Sequence, residues 1–121
     1  MHIEAWYGRP VQSFDVGEAA ERLRERGGGY DFVHTSPGLE IGAYVLVGPD
    51  DDKQVPHSFD EVYLVLDGDG EIEIAGERRP IRRGEAVFVA AGVEHRLHAY
   101  EELTLLVVFN GPHSAAISAP Q

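Results

Sequence analysis

From residue 39 to residue 109 the chain is a series of short apolar runs separated by glycine-bearing turns. Leu39 to Val47 reads LEIGAYVLV and stops at Gly48-Pro49. Val62 to Leu66 reads VYLVL and enters Asp67-Gly68-Asp69-Gly70, the composition of a tight hairpin turn. Glu71 to Ala75 alternates strictly, which places Ile72 and Ile74 on one face. Gly76-Glu77 and Arg82-Arg83-Gly84-Glu85 mark two more turns, and Ala86 to Val89, His95 to Ala99 and Leu103 to Phe109 are three more strand-like runs. Six or more short strands with this punctuation predict an all-β domain, either a sandwich or a closed barrel.

One stretch breaks the pattern. Gly17 to Arg26 has helical spacing, with Asp15 and Glu18 placed as a capping box and Gly27-Gly28-Gly29 as a stop. Its apolar stripe is thin, only Ala19, Ala20 and Leu23, so the helix is expected on the outside of the fold. The 121 residues suit one domain: an N-terminal strand and helix region over 1–30, a core over 39–109 and a flexible tail over 112–121. The tail is small and polar and is expected to fray or to serve a partner.

Charge and composition narrow the function classes. There are 10 Lys and Arg against 21 Asp and Glu, a formal charge of −11, which disfavours a nucleic-acid partner. Asp50-Asp51-Asp52 reads as a solvated acidic face, since it lacks the spaced ligand loop of a calcium site. With no cysteine, the chain has no disulfide, no thiolate ligand and no thiol nucleophile, which fits a cytoplasmic protein. No run of 18 apolar residues is present, and the N-terminal MHIEAWYGRP lacks the basic and apolar regions of a secretory signal. Neither a membrane association nor export is therefore expected.

Candidate chemistry sits in two stretches. In Pro56-His57-Ser58-Phe59-Asp60-Glu61-Val62-Tyr63, His57 and Glu61 are four apart and share a face if the chain is extended, with Tyr63 continuing it. An imidazole and a carboxylate converging inside a barrel are costly unless they are paired or bind a cation. In the second stretch, from Gly84 to His95, a strand ends at a glycine turn and a histidine opens the next strand. His2 and His113 lie near the ends of the chain and carry little weight. No nucleophile elbow, P-loop or dinucleotide fingerprint occurs.

Together the two stretches resemble the paired motifs of the cupin superfamily. His57, Glu61 and Gly68 match the second His, the Glu and the closing Gly of the first motif, and Gly84, Gly92 and His95 match the second motif at its spacings. The resemblance covers about residues 39 to 109. It implies a double-stranded β-helix (jelly-roll) barrel in which His57, Glu61 and His95 hold one divalent transition metal, with Fe, Mn, Ni, Zn and Co all compatible. Four positions depart from the pattern. Val55 stands where the first histidine belongs, Gly48 is one residue too far upstream, Ala90 replaces Pro and Ala99 replaces Asn. An alternative alignment takes His57 as the first histidine and Phe59 as the second, and it also leaves one imidazole missing. The implied set is therefore two imidazoles and one carboxylate with open positions.

Around these ligands, Tyr63, Tyr44 and Phe59 are candidates to line a substrate pocket, Phe59 as an apolar lid. His98, Gln54 and His34 are candidates to support the ligands, although strand parity points His98 away from His95. The expected activity is metal-dependent, on a small oxygenated organic molecule, by O₂-dependent oxidation or metal-assisted isomerisation. The alternative is a non-catalytic cupin that binds a sugar or organic acid; a third reading is a structural cupin whose motif has decayed. The apolar runs Ile41 to Val47 and Leu103 to Phe109 exceed what one small barrel needs, which predicts a homodimer.

Overall fold

The computed structural model describes residues 11–49 and 56–114. The helix α1 (Val16–Glu25) comes first, followed by eight strands: β1 (Gly29–Ser36), β2 (Leu39–Val47), β3 (Glu61–Asp67), β4 (Asp69–Ile74), β5 (Glu77–Arg82), β6 (Ala86–Val89), β7 (His95–His98) and β8 (Glu102–Phe109). All pairings are antiparallel. One sheet has the order β1-β2-β8-β3-β6 and the other β5-β4-β7. This is the jelly-roll arrangement that the cupin resemblance implied, where the turn spacing alone left a sandwich and a closed barrel open.

Alternation along each strand decides which side chains meet between the sheets. Leu103, Leu105, Val107 and Phe109 of β8 point inward and pack with Tyr63, Val65, Ile72, Ile81, Val89 and Leu97 in one buried cluster. On the inner face of β2 the sequence runs Glu40, Gly42, Tyr44, Leu46. Gly42 has a specific reason to lack a side chain, because a Cβ there would collide with the ring of Tyr30. That bare strip lets Tyr30 lie across β2 towards Glu40.

The helix covers the outer face. Asp15 accepts the backbone N–H of Glu18 at 2.8 Å, which caps its first turn. Ala19, Ala20 and Leu23 are the buried stripe, and they pack on Ala43 and Val45 of β2. Burying Leu23 alone contributes about 2 kcal/mol. Arg24 then fastens the helix to β8 by donating to Thr104 Oγ1 at 3.0 Å and pairing with Glu102 at 3.0 Å. Part of the apolar surface of β2 that suggested a second subunit is therefore covered by the chain's own helix.

Two strands escaped the sequence pattern, and the first residues of the tail depart from the expected fraying. β1 had no clear signal in GYDFVHTS, because its burial is irregular and a bulge falls between Phe32 and His34. β5 was hidden in ERRPIR, where only Ile81 is buried. It forms a sheet edge, where a strand tolerates an internal proline such as Pro80. The tail does not fray from its start: Ser114 is bonded into the barrel through Glu40.

Candidate metal centre

The site gathers at one end of the barrel from three stretches that are distant in sequence. Glu61 opens β3, His95 opens β7, and His57 lies in the loop before β3. Backbone bonds hold these stretches in place. Gly92 N–H donates to the carbonyl of His57 at 2.7 Å, and Ala91 N–H donates to Asp60 Oδ1 at 2.8 Å. Asp60 is tied in turn to Asn110, whose Oδ1 accepts its N–H at 2.9 Å. The glycine turn before His95 and the loop before Glu61 are thus one unit.

His57 and His95 are oriented in the same way. His57 Nδ1 donates to the carbonyl of Phe59 at 3.1 Å, and His95 Nδ1 donates to the carbonyl of Val93 at 3.0 Å. A carbonyl can only accept, so each ring carries a proton on Nδ1 and turns Nε2 inward. His57 Nε2 lies 2.9 Å from Glu61 Oε1, and His95 Nε2 lies 3.2 Å from the same oxygen. All three side chains are nearly or fully buried, with 6% exposure for His57, 0% for His95 and 1% for Glu61.

That geometry is a test of whether a cation fits. With both rings neutral, two nitrogen lone pairs face a carboxylate oxygen in an apolar setting, which is repulsive. A proton or a metal ion between them makes the contact favourable. The three donor atoms all lie within 4.8 Å of one another. Neighbouring donors at right angles on one ion, with bonds of about 2.1 Å, stand about 3 Å apart, which matches the two short separations. Burial pushes the Glu61 carboxyl up, but when His57 and His95 carry a second proton on Nε2 their hydrogen bonds and positive charge outweigh it and hold Glu61 below the usual carboxylate range. The site favours an anion here and a cation beside it.

The surrounding wall is aromatic. Phe109 meets the His57 ring edge-on at a centroid distance of 4.9 Å, and Tyr63, fully buried, lies 6.1 Å from His95. Phe59 packs against the same core and against Gly111, where a Cβ would strike its ring. Tyr44 is inside the barrel, edge-on to Tyr30 at 6.1 Å.

The three expected supporting residues fare differently. His98 bonds Glu73 at 2.8 Å on the other face of β7, as its parity implied, and does not support the ligands. His34 contacts Ser36 at 3.2 Å and the ring of Phe14 at 5.5 Å, on β1, three strands away from β3. Gln54 lies outside the described residues, as do Val55 and Asp50-Asp51-Asp52. Support comes instead from the carbonyls of Phe59 and Val93 and from Asp60 and Asn110.

Sequence reading missed a second buried carboxylate. Glu40 is 0% exposed and accepts Tyr30 Oη–H at 2.6 Å, Ser114 N–H at 3.0 Å and Ser114 Oγ–H at 3.0 Å. Burial, together with Glu40 and the more distant charge of Glu61, pushes the Tyr30 hydroxyl well above the usual tyrosine value, so it stays protonated. His113 was also missed as a neighbour of the centre. Its ring is 4.8 Å from His57 and stacks on Phe109 at 4.0 Å. A glutamate in a β-rich run and a histidine in a polar tail gave no periodic signal.

The comparisons agree with this architecture. The model of the Cupin_2 family, described as the cupin domain, matches residues 43–109, and the chain belongs to that family. An uncharacterized protein of Streptomyces coelicolor is 38% identical over 106 residues, spanning 86% of this chain and 100% of its own length. Among solved structures, an RmlC-like cupin from Shewanella frigidimarina superposes with a TM-score of 0.71 at 18% identity, covering 88% of this chain and 96% of its own. The DMSP lyase DddQ from Ruegeria pomeroyi superposes with a TM-score of 0.64 at 21% identity, over 69% of this chain and 47% of its own. These two likenesses concern the fold.

Proposed function

We propose that this cupin is a metal-dependent enzyme acting on a small oxygenated organic molecule, by O₂-dependent oxidation or metal-assisted isomerisation. The carrying observation is the pair of imidazoles whose Nδ1 protons are committed to backbone carbonyls and whose Nε2 atoms converge on Glu61 Oε1. His57, Glu61 and His95 would hold one divalent ion, with Fe, Mn, Ni, Zn or Co as candidates. Bound there, the ion supplies a Lewis acid for a substrate oxygen, or a site where O₂ and substrate meet. Glu61 supplies its negative charge to the ion, the two backbone carbonyls keep both rings in register, and Phe59, Phe109 and Tyr63 exclude water from around it. That the fold also carries DddQ, a lyase, supports chemistry as well as binding in such a barrel.

Metal analysis of protein purified without added metal tests this. About one equivalent in wild type, lost in His57→Ala and in His95→Ala, is expected. Metal content unaffected by either substitution would reject it. A non-catalytic binding role for a sugar or organic acid is the second reading, favoured because Glu40, the other buried carboxylate among the described residues, is engaged in fold-internal bonds to Tyr30 and Ser114. Large thermal stabilisation of the metal-loaded protein by such compounds without turnover would select it.

A homodimer is part of the proposal. On the outer face of the larger sheet, Ile41, Val108, Val62 and Phe88 are register neighbours across four strands, and Val62 and Phe88 are 37% and 60% exposed. A second copy covering this row would remove it from water. Phe88→Glu is expected to give monomers by light scattering where wild type gives dimers; a monomeric wild type rejects the dimer.

A further inference from the structure

The segment after β8 does not leave the barrel. Gly111 has no side chain where a Cβ would strike Phe59, so the chain can turn close beneath that ring. Two residues later His113 lies flat on Phe109, with 24° between the ring planes, and meets His57 edge-on at 4.8 Å. Ser114 then anchors the segment through two bonds to Glu40, one from its N–H and one from its hydroxyl, each at 3.0 Å. Glu40 is fully buried, so this clamp belongs to the interior of the fold rather than to its surface.

The clamp delivers an imidazole whose Nδ1 is buried and has no hydrogen-bond partner among the described residues. Leaving such a nitrogen without a partner is costly, and a native site normally meets that cost by binding something there. Phe109, on which the ring rests, is the cross-strand partner of Glu61. His113 is therefore beside the candidate centre and tethered, although its nitrogens are not among the three converging donors.

We propose that His113 is a third imidazole of the metal centre, reaching the ion through Nδ1 by turning about its side-chain torsions while Ser114 stays clamped to Glu40. It would supply the imidazole that the motif assigns to position 55, where the sequence of this chain has Val55. Glu40 and Ser114 are then positioning residues for a ligand, acting through His113. This inference rests on His57, Glu61 and His95 as ligands.

Cu(II) loaded into the full-length protein provides the test, because spin-echo modulation from the remote imidazole nitrogens counts bound histidines independently of activity. Three imidazoles are expected in wild type and two in His113→Phe, which keeps the stacking on Phe109 but has no nitrogen. The Cu(II) dissociation constant, measured by competition with a chelator, should rise at least about tenfold in His113→Phe. A smaller rise is expected in Ser114→Ala, with the histidine count restored at saturating metal. Two imidazoles and equal affinity in both wild type and His113→Phe would overturn the role of His113 while leaving the three-residue centre standing. A wild type that binds no stoichiometric Cu(II) would overturn the centre itself and this inference with it. His113→Ala, compared with His113→Phe by circular dichroism in the metal-free state, separates a packing defect from a lost ligand.

Discussion

Glu40 and Glu61 are a matched pair with opposite surroundings. Both are buried, and both are register partners of Phe109, one on each side of β8. Glu40 is met by three hydrogen-bond donors from Tyr30 and Ser114. Glu61 is met by two histidine nitrogens whose rings have already given their Nδ1 protons to the backbone. A buried carboxylate with donors is satisfied by the fold. One facing lone pairs is satisfied only by a cation or a shared proton. The difference separates a structural carboxylate from a ligand more sharply than burial, which is the same for both.

The largest expected effect tests that division through metal affinity. Glu61→Gln should weaken Co(II) binding by about 100-fold or more, since it removes the charged member of the proposed set, whereas Glu40→Gln should weaken it by about tenfold or less. Equal losses, measured by chelator competition, would erase the distinction. Stability of the metal-free protein should reverse the order. Glu40→Ala strands the Tyr30 hydroxyl and the Ser114 donors and should cost about 2–3 kcal/mol in urea unfolding with chelator present. Glu61→Gln should change metal-free stability by no more than about 1 kcal/mol, because a neutral amide relieves the lone-pair conflict while losing the charge.

The two regions should also titrate on opposite limbs. In the metal-free protein Glu61 is held low by His57 and His95 when their Nε2 atoms are protonated, so that contribution is lost as pH falls through the carboxylate range. Tyr30 is held high, so its contribution is complete below the ordinary value of 10.0 and is lost as pH rises above it. Glu61→Gln should flatten the acid limb of metal-free stability against pH, and Tyr30→Phe should flatten the alkaline limb. The smallest effect is the neutral-pH cost of Tyr30→Phe, about 1 kcal/mol, since Glu40 keeps both bonds from Ser114.

Much of this was legible in the chain because it depends on spacing. The period-two runs and glycine turns gave six of the eight strands, and the joint motif spacing picked out His57, Glu61 and His95. What escaped was written in relations between distant residues. Nothing in GYDFVHTS shows that Tyr30 will lie over Gly42, and nothing in LEIGAYVLV marks Glu40 as an interior group. His113 was discounted for its place near the end of the chain. Its importance comes from Gly111, which lets the chain turn, and from Glu40, 73 positions earlier in sequence. His98 and His34 failed as supporting residues because strand parity and sheet order, not proximity in sequence, decide which side chains meet.

The position of β8 has a consequence for how the molecule assembles. It follows every other described strand in sequence, yet it sits in the middle of the larger sheet between β2 and β3. Until residues 102–109 have been made, β2 and β3 cannot be joined, and each exposes an unpaired edge to other chains. Contacts of such long sequence separation form slowly, so the nascent chain spends its most aggregation-prone interval waiting for one strand. That strand also carries Phe109, the inner wall beside both buried glutamates, so the ion site takes shape only when the sheet closes. Any metal loading would therefore follow closure of the larger sheet.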